Sequence, residues 1–383
     1  VSMRVATFVL VTLWLAAPAG AAPATRDEAV REWASIVTAR SVQSGWTGSV
    51  EGCRRGTESS ASIGATATAV NGLRDFAGLD PVTFDPVKND KALAAALMME
   101  AAGRLDHAPD ASFPCYTAEG REGAGSSNLF LGAARADAMV GYADDGGVDS
   151  LGHRRWLLDP AATTFGTGST ARANALWVFP DGAAPASGPP VVAWPPAGWI
   201  PWDLVPGTWS AGMNVPGVDV AAAQVSVSAG GQPRAVSNVR SLDSGFGSAD
   251  PTLAWEVAPA ADDQDADREL AVAIDGATLA GAPYPIRYTV QAFDASPPVI
   301  ESVGYRLPTR LRPGRKVRLV TTIHHAQDVA LQWLRGGRPI AGATRRTYRL
   351  RKADRGRTIR CRVTATGVGT VIRRSPKLKI PRR

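Results

Sequence analysis

Helix-type patterning in this chain stops at Pro160, and no later stretch resumes it. Before that point Leu93, Leu97, Ala101 and Leu105 recur every four residues, one apolar stripe on a helix over 87–105. Further helices are expected over 26–38, 64–78, 133–142 and 149–158, with Gly78 and Pro81 closing the second. Proline lacks an amide proton and cannot continue the last of them, and 175–179 reads as a strand. Beyond the linker DGAAPASGPP (181–190), short alternating runs such as AQVSVSA and LAVAI are broken by Gly-Gly, Asp-Gly and Pro. That is the pattern of an antiparallel β-module. A second hinge, ASPP (295–298), precedes KVRLVTTI and RTIRCRV, where Ile359, Cys361 and Val363 would face inward and Arg360 and Arg362 outward. With 383 residues the chain is too long for one ordinary core, so these breaks mark module boundaries.

The first residues suggest where the chain works. Met3 and Arg4 precede an apolar run, Val5–Ala17, and then the small residues of APAGAAPA. This is the order of a signal peptide, with cleavage expected near Ala21. The run is shorter than the ~20 residues a membrane span needs, and no later segment qualifies, so no transmembrane segment is expected in the mature chain. The expected location is secreted or extracellular, with cell-wall association an open extension.

Charge is distributed unevenly. Residues 299–383 hold 23 Lys and Arg against Glu301, Asp328 and Asp354, a net of +20, whereas residues 1–298 carry −13. So dense a positive field attracts polyanions. It is either a device for solubility or a surface for an anionic partner. Nucleic acid is not the expected one, because export and the lack of a basic-aromatic recognition element argue against it.

Three cysteines are present. In an exported protein Cys53 and Cys115 can pair, closing a loop worth roughly 4 kcal/mol in the chain-entropy picture. Cys361 has no partner in its module and is expected as a buried thiol.

Of four histidines, two lie outside the basic module: His107 in GRLDHAPDASFPCY and His153 in SLGHRRWLLDP. One follows the long helix and the other sits on a later short helix, so the two rings can converge on one cleft. Imidazole titrates near neutrality and binds transition metals, so such a pair either holds a divalent ion or moves protons, or else is packed in the core.

At these residues the sequence resembles the CAP superfamily (cysteine-rich secretory, antigen 5 and pathogenesis-related proteins, also called SCP-like). The resemblance rests on VNGLRDFAGLDPVTFD (70–85), ALAAALMMEAAGRLDH, SSNLFLG and GHRRWLLDPAATTFGTG, in that order over roughly 110 residues. It implies an α-β-α sandwich around a central cleft with two histidines and two acidic residues. His107 and His153 match the histidine positions, and Asp137 falls where a glutamate usually stands. The second acid normally precedes Asn in a Gly-Glu-Asn stretch. Here Ser127 occupies that place, with Asn128 and Gly132 in register, and Glu119 or Glu122 would have to fold back to replace the carboxylate. The resemblance thus implies a divalent site, zinc for instance, on His107, His153 and Asp137, three ligands being enough for an open catalytic site. It also ties Cys115, at the cleft rim, to the lead segment through Cys53.

The neighbours of His153 have plainer readings. Trp156 and Leu157 are expected to pack the helix onto the sheet. Arg154 and Arg155 are expected on a solvated face or paired with Asp144, Asp145 or Asp149, and Gly166 and Gly168 to supply turn freedom. Trp194, Trp199, Trp202 and Trp209 fall within sixteen residues, either exposed for sugar stacking or packed with their prolines. The last module resembles bacterial Ig-like repeats of exported surface proteins, through LQWLRGGRPIAGATRRTY, DRG and a strand, with Trp333 as core tryptophan.

The fold expected is therefore α+β: a signal peptide (1–21), a lead segment (22–60), a CAP domain (61–180), a β-sandwich module (191–296) and a basic Ig-like β-sandwich (299–383). Three functions compete. The cleft binds a small or lipid-like ligand while the basic module holds an anionic cell-envelope polymer. Alternatively, His107 or His153 is the general base of an extracellular hydrolase acting on protein or cell wall, with Asp137, Glu122 and Ser127 as further catalytic candidates. In the third reading the chain is an adhesive spacer with a vestigial cleft. The missing carboxylate at Ser127 tilts the reading from enzyme toward binding.

Overall fold

The computed structural model describes residues 22–382 apart from 183–185, 261–262 and 264–265. The expected signal peptide lies outside the described residues. The chain divides into two compact units, Val1–Asp294 and Ala295–Arg383, and among the described residues its α-helices fall in the first part of the first unit, an α+β arrangement.

Helix α1 (Arg26–Arg40) starts at a capping box in which Thr25 and Glu28 exchange side-chain and backbone bonds, and it buries Val30, Trp33 and Ile36. It packs on α2 (Ser60–Phe76), which packs in turn on α5 (Arg135–Asp144). Helix α3 (Pro86–Ala102) is set by Asp85, whose carboxylate accepts from the amides of Val87 and Lys88, and by Pro86 at the first helical position. It ends at Gly103, φ 64°, so the apolar stripe stops short of Leu105, which is 43% exposed. Helices α4 (Ala118–Gly125) and α6 (Gly152–Leu157) complete the set.

Strands β1 (Thr83–Phe84), β2 (Ser127–Leu131), β3 (Thr164–Ser169) and β4 (Ala173–Trp177) form one sheet in the order β1-β3-β4-β2, with β1 parallel to β3 and the other pairs antiparallel. The buried face of α3, Ala92, Ala95, Ala96, Met98 and Met99, packs with Leu129, Ala173 and Ala175 of this sheet. Gly166 and Gly168 are not turn residues. A Cβ on Gly168 would stand 2.0 Å from the backbone nitrogen of Leu93, and one on Gly166 would stand 2.6 Å from the carbonyl carbon of Lys88. Their bare α-carbons let α3 lie directly against β3.

The rest of the first unit is β. One sheet runs β10 (Gln232–Arg234), β9 (Gln224–Ala229), β13 (Arg268–Asp275), β16 (Ile286–Phe293) and β6 (Gly198–Pro201). A second runs β11 (Val236–Ser241), β12 (Thr252–Val257), β7 (Thr208–Met213) and β5 (Val191–Trp194). Strands β8 (Val218–Asp219), β14 (Thr278–Leu279) and β15 (Ala282–Pro283) form a small third sheet. The tryptophan cluster belongs largely to this packing. Trp194 and Trp209 are buried, Trp209 lies 6.4 Å from the Trp255 ring, and the Trp202 indole donates to the Ala266 carbonyl.

In the second unit one sheet is β17 (Val299–Arg306), β18 (Lys316–His324) and β21 (Thr347–Arg349). The other is β20 (Arg338–Pro339), β19 (Asp328–Arg335), β22 (Thr358–Gly367) and β23 (Gly369–Arg374), with β24 (Leu378–Lys379) also on β22. Its core contains Val317, Leu319, Trp333, Tyr348, Ile359, Cys361 and Val363. Cys361 is a free, buried thiol, Arg362 is exposed and Arg360 half-buried, as the alternation of RTIRCRV predicts.

Candidate functional site around His153

Helix α5 ends on Asp145, a left-handed residue at φ 50°. That turn sends the aspartate back over the start of α6. Its side chain is 1% exposed, with one oxygen 2.7 Å from His153 Nδ1 and the other accepting from the Arg154 amide at 3.1 Å. A carboxylate facing Nδ1 assigns the proton to that nitrogen and leaves Nε2 as the acceptor. The His153 side chain is 24% exposed and its ring lies 5.5 Å from that of Tyr142. Asn128 fixes the backbone here by donating to the His153 carbonyl at 2.8 Å.

Behind the histidine lies a chain of buried polar contacts. The Tyr142 hydroxyl bonds to the Asn128 carbonyl and to Asn174, and Asn174 donates to Thr167 and Ser169. Burial, then the charge of Asp145, drives the Tyr142 pKa far up, so the phenol stays protonated. The Ser169 amide donates to Glu58 at 2.8 Å, and Ser62 donates to the other Glu58 oxygen. Burial raises the Glu58 carboxyl to about 6, against the lowering effect of these hydrogen bonds.

The other expected site residues are engaged elsewhere. His107 is exposed, and its Nδ1 lies 3.0 Å from the Ala124 carbonyl at the end of α4. Asp137 pairs with Arg40 at 2.7 Å, Glu122 with Lys91 at 2.6 Å and Glu119 with Arg55 at 3.4 Å. Ser127 begins β2, where its buried hydroxyl has no hydrogen-bond partner. Among the described residues no three His, Cys, Asp or Glu side chains gather where they could hold one ion. The ligand set His107, His153 and Asp137 is therefore not assembled, and the residues do not fit a zinc ion.

Arg154 and Arg155 are not a solvated face. Arg154 is 1% exposed and donates to the carbonyls of Ala143, Asp144 and Thr208 and to the Ser210 hydroxyl. Burial pulls its pKa down to about 10, Asp145 and Asp144 opposing. Arg155 reaches the Asp243 carbonyl and the Asp250 carboxylate, and its guanidinium stacks 5.2 Å from the Phe246 ring. Both arginines join α6 to the β part of the first unit. Leu157 is fully buried and Trp156 packs 4.8 Å from Phe179. A disulfide joins Cys53 to Cys115. A separate open groove of about 450 Å³ is lined by Glu32, Thr68, Asn71, Asp75 and Leu79, and by neither His107 nor His153.

Residues 67–178 match the family model described as the cysteine-rich secretory protein family, CAP. That stretch is similar to a CAP domain. All five elements around the His153 site, β2, α5, α6, β3 and β4, fall inside that CAP match, whereas Glu58 and the Cys53 half of the disulfide lie before it. No curated protein matches the chain. Among solved structures, the four N-terminal Ig domains of Dscam1 isoform 4.44 align at 14% identity over 41% of this chain and 37% of that one, TM-score 0.22. The amphioxus IgVJ-C2 molecule aligns at 17% identity over 45% and 96%, TM-score 0.24. DIP-gamma IG1+IG2 aligns at 12% identity over 48% and 93%, TM-score 0.27. The chain spans about two fifths of the length of the first of these, and such TM-scores define no shared architecture.

Sequence reasoning named Asp145 only as a partner for the arginines. The signal that points to it is the Asp-Asp-Gly-Gly turn (144–147) closing α5 eight residues before His153.

Proposed function

We propose that the CAP domain binds a small or lipid-like ligand at the partly exposed His153, and that the protein works outside the cell, held to an anionic envelope polymer by its basic second unit. The observation that carries this reading is the His153–Asp145 pair. It leaves Nε2 as the oriented acceptor on a side chain that is 24% exposed, a placed polar anchor of the kind ligand sites use. The Cys53–Cys115 bond favours an oxidising compartment, and a net charge of +20 over residues 299–383 favours a polyanionic partner. A layered α-β-α core for the CAP domain, a β-sandwich for the middle module and an Ig-like sandwich for the second unit belong to the same reading.

Titration with a fluorescent long-chain fatty acid tests it. His153→Ala should weaken binding about tenfold, or ~1.4 kcal/mol. Equal binding by both proteins would remove His153 from the site.

The pair also favours a second reading. A carboxylate-oriented histidine is the geometry of a general base, and an extracellular hydrolase would use Nε2 to activate water or a hydroxyl. Casein or cell-wall hydrolysis that disappears in His153→Ala supports it, and hydrolysis unchanged in that variant excludes it.

A further inference from the structure

We propose that the outward face of the sheet β17-β18-β21 is a docking surface for a linear phosphodiester polymer without bases. The proposal rests on the reading above that the second unit holds an anionic polymer, and it names the face and the chemistry.

Residues directly opposite each other in an antiparallel ladder share one face. Arg306 stands opposite Arg318, and Lys316 stands opposite Arg349. All four are exposed, while the alternate residues Tyr305, Val317, Leu319 and Tyr348 turn into the core. The two cationic rows are therefore about 6.8 Å apart along β18, with ~5 Å between the β-carbons of a pair.

Like charges placed directly opposite destabilise a sheet. Here two such pairs occur side by side, and among the described residues no carboxylate pairs with any of the four. Of the three acids of the unit, Glu301 stands on this sheet but at its far end, six residues along β18 from Arg318 and paired with His324. Asp354 pairs with Arg335, and Asp328 is on β19 of the other sheet. An external anion would relieve that repulsion.

Three of the four cations are arginine, whose fork matches phosphate oxygens two at a time. The register is regular across these rows, so a chain laid along the strands meets cations at two successive rows. Its uncharged positions near the rows are Gly304, Val320 and Thr347, with no aromatic ring on which a base could stack. The other sheet also opposes Arg362 to Arg374, but Asp328 and the 60% exposed Ile372 share that side.

The test uses the full chain and poly(glycerol phosphate), with affinity measured against salt. One variant carries Arg306→Gln, Lys316→Gln, Arg318→Gln and Arg349→Gln. The control removes the same charge from the other sheet: Arg338→Gln, Arg362→Gln, Arg374→Gln and Lys379→Gln. For the first variant the log–log salt slope should shrink by about 3 and affinity should fall at least tenfold, with the control losing less than half as much. Its melting temperature should hold or rise, since two repulsive pairs are gone. Should it fail to fold, Arg306→Gln with Arg349→Gln, one cation from each row, takes its place, with an expected slope loss of about 1.4. Equal losses in variant and control overturn the face and leave the electrostatic tether standing. Failure of the unmodified chain to bind the polymer overturns both. Tighter binding of single-stranded DNA with the same number of phosphates overturns the choice of polymer.

Discussion

The Nδ1 nitrogen of His153 lies 2.7 Å from a carboxylate oxygen of Asp145 whose side chain is 1% exposed. The same carboxylate holds the first turn of α6 through the Arg154 amide, so it positions the helix as well as the ring. Asn tolerates the left-handed backbone of residue 145 and keeps the side-chain shape. Asp145→Asn should cost about 1–2 kcal/mol of unfolding free energy in urea. Asp145→Ala should cost a further ~1–2 kcal/mol, because alanine resists that conformation. Long-range ¹H–¹⁵N spectra should show the His153 proton on Nδ1, and Asp145→Asn should mix the two tautomers. A spectrum unchanged by the substitution would mean that Asp145 does not set the tautomer.

Close approach of α3 to β3 makes a second prediction. Gly168→Ala drives a methyl group into the backbone at Leu93 and should destabilise the first unit by roughly 3 kcal/mol. Gly64, in α2, has nothing within 4 Å of the place a Cβ would occupy. Gly64→Ala should stabilise by up to ~1 kcal/mol through helix propensity. Thermal melts of the two variants should therefore move in opposite directions.

Glu58 predicts a pH dependence. Its folded pKa is about 6 against 4.5 for the free side chain, so between those values the folded state binds more protons than the unfolded one. The stability this contributes is fully present below about pH 4.5 and is lost as pH rises through about 6. The span corresponds to about 2 kcal/mol. Glu58→Gln should flatten the stability profile in that window by this amount relative to the unmodified chain. Parallel profiles would show that Glu58 titrates normally.

The Cys53–Cys115 bond closes a separation of 62 residues. In the chain-entropy picture its loss costs roughly 4 kcal/mol. Reduction, or Cys53→Ser with Cys115→Ser, should lower the urea midpoint of the first unit correspondingly. An unchanged midpoint would mean that the loops it joins are held equally well by their other contacts.

Much of this was legible in the chain because it is local. The periodicity of Leu93 and Leu97 located α3, Pro160 closed the helical region, and the alternation around Cys361 placed a buried strand. The four motifs that resemble the CAP family fall within or beside the residues its model matches. What was hidden depends on distant approach. Arg154 looked like a surface residue because its acceptors, the carbonyl of Thr208 and the hydroxyl of Ser210, lie more than fifty positions away. Gly168 looked like a turn because nothing in its neighbourhood announces that Leu93 will press against it. His107 and Asp137 matched by order along the chain, but Ala124 and Arg40 occupy them. Glu58 carried no motif at all, and only the fold brings it to Ser169.

The anchoring of Arg154 on β7 has a practical corollary for anyone cutting the gene. A fragment ending near residue 180 would strip this guanidinium of two acceptors and leave a cation stranded at a newly wetted, largely apolar seam. Truncation after Asp294 keeps those acceptors in place, so the smallest piece worth expressing on its own is the longer one.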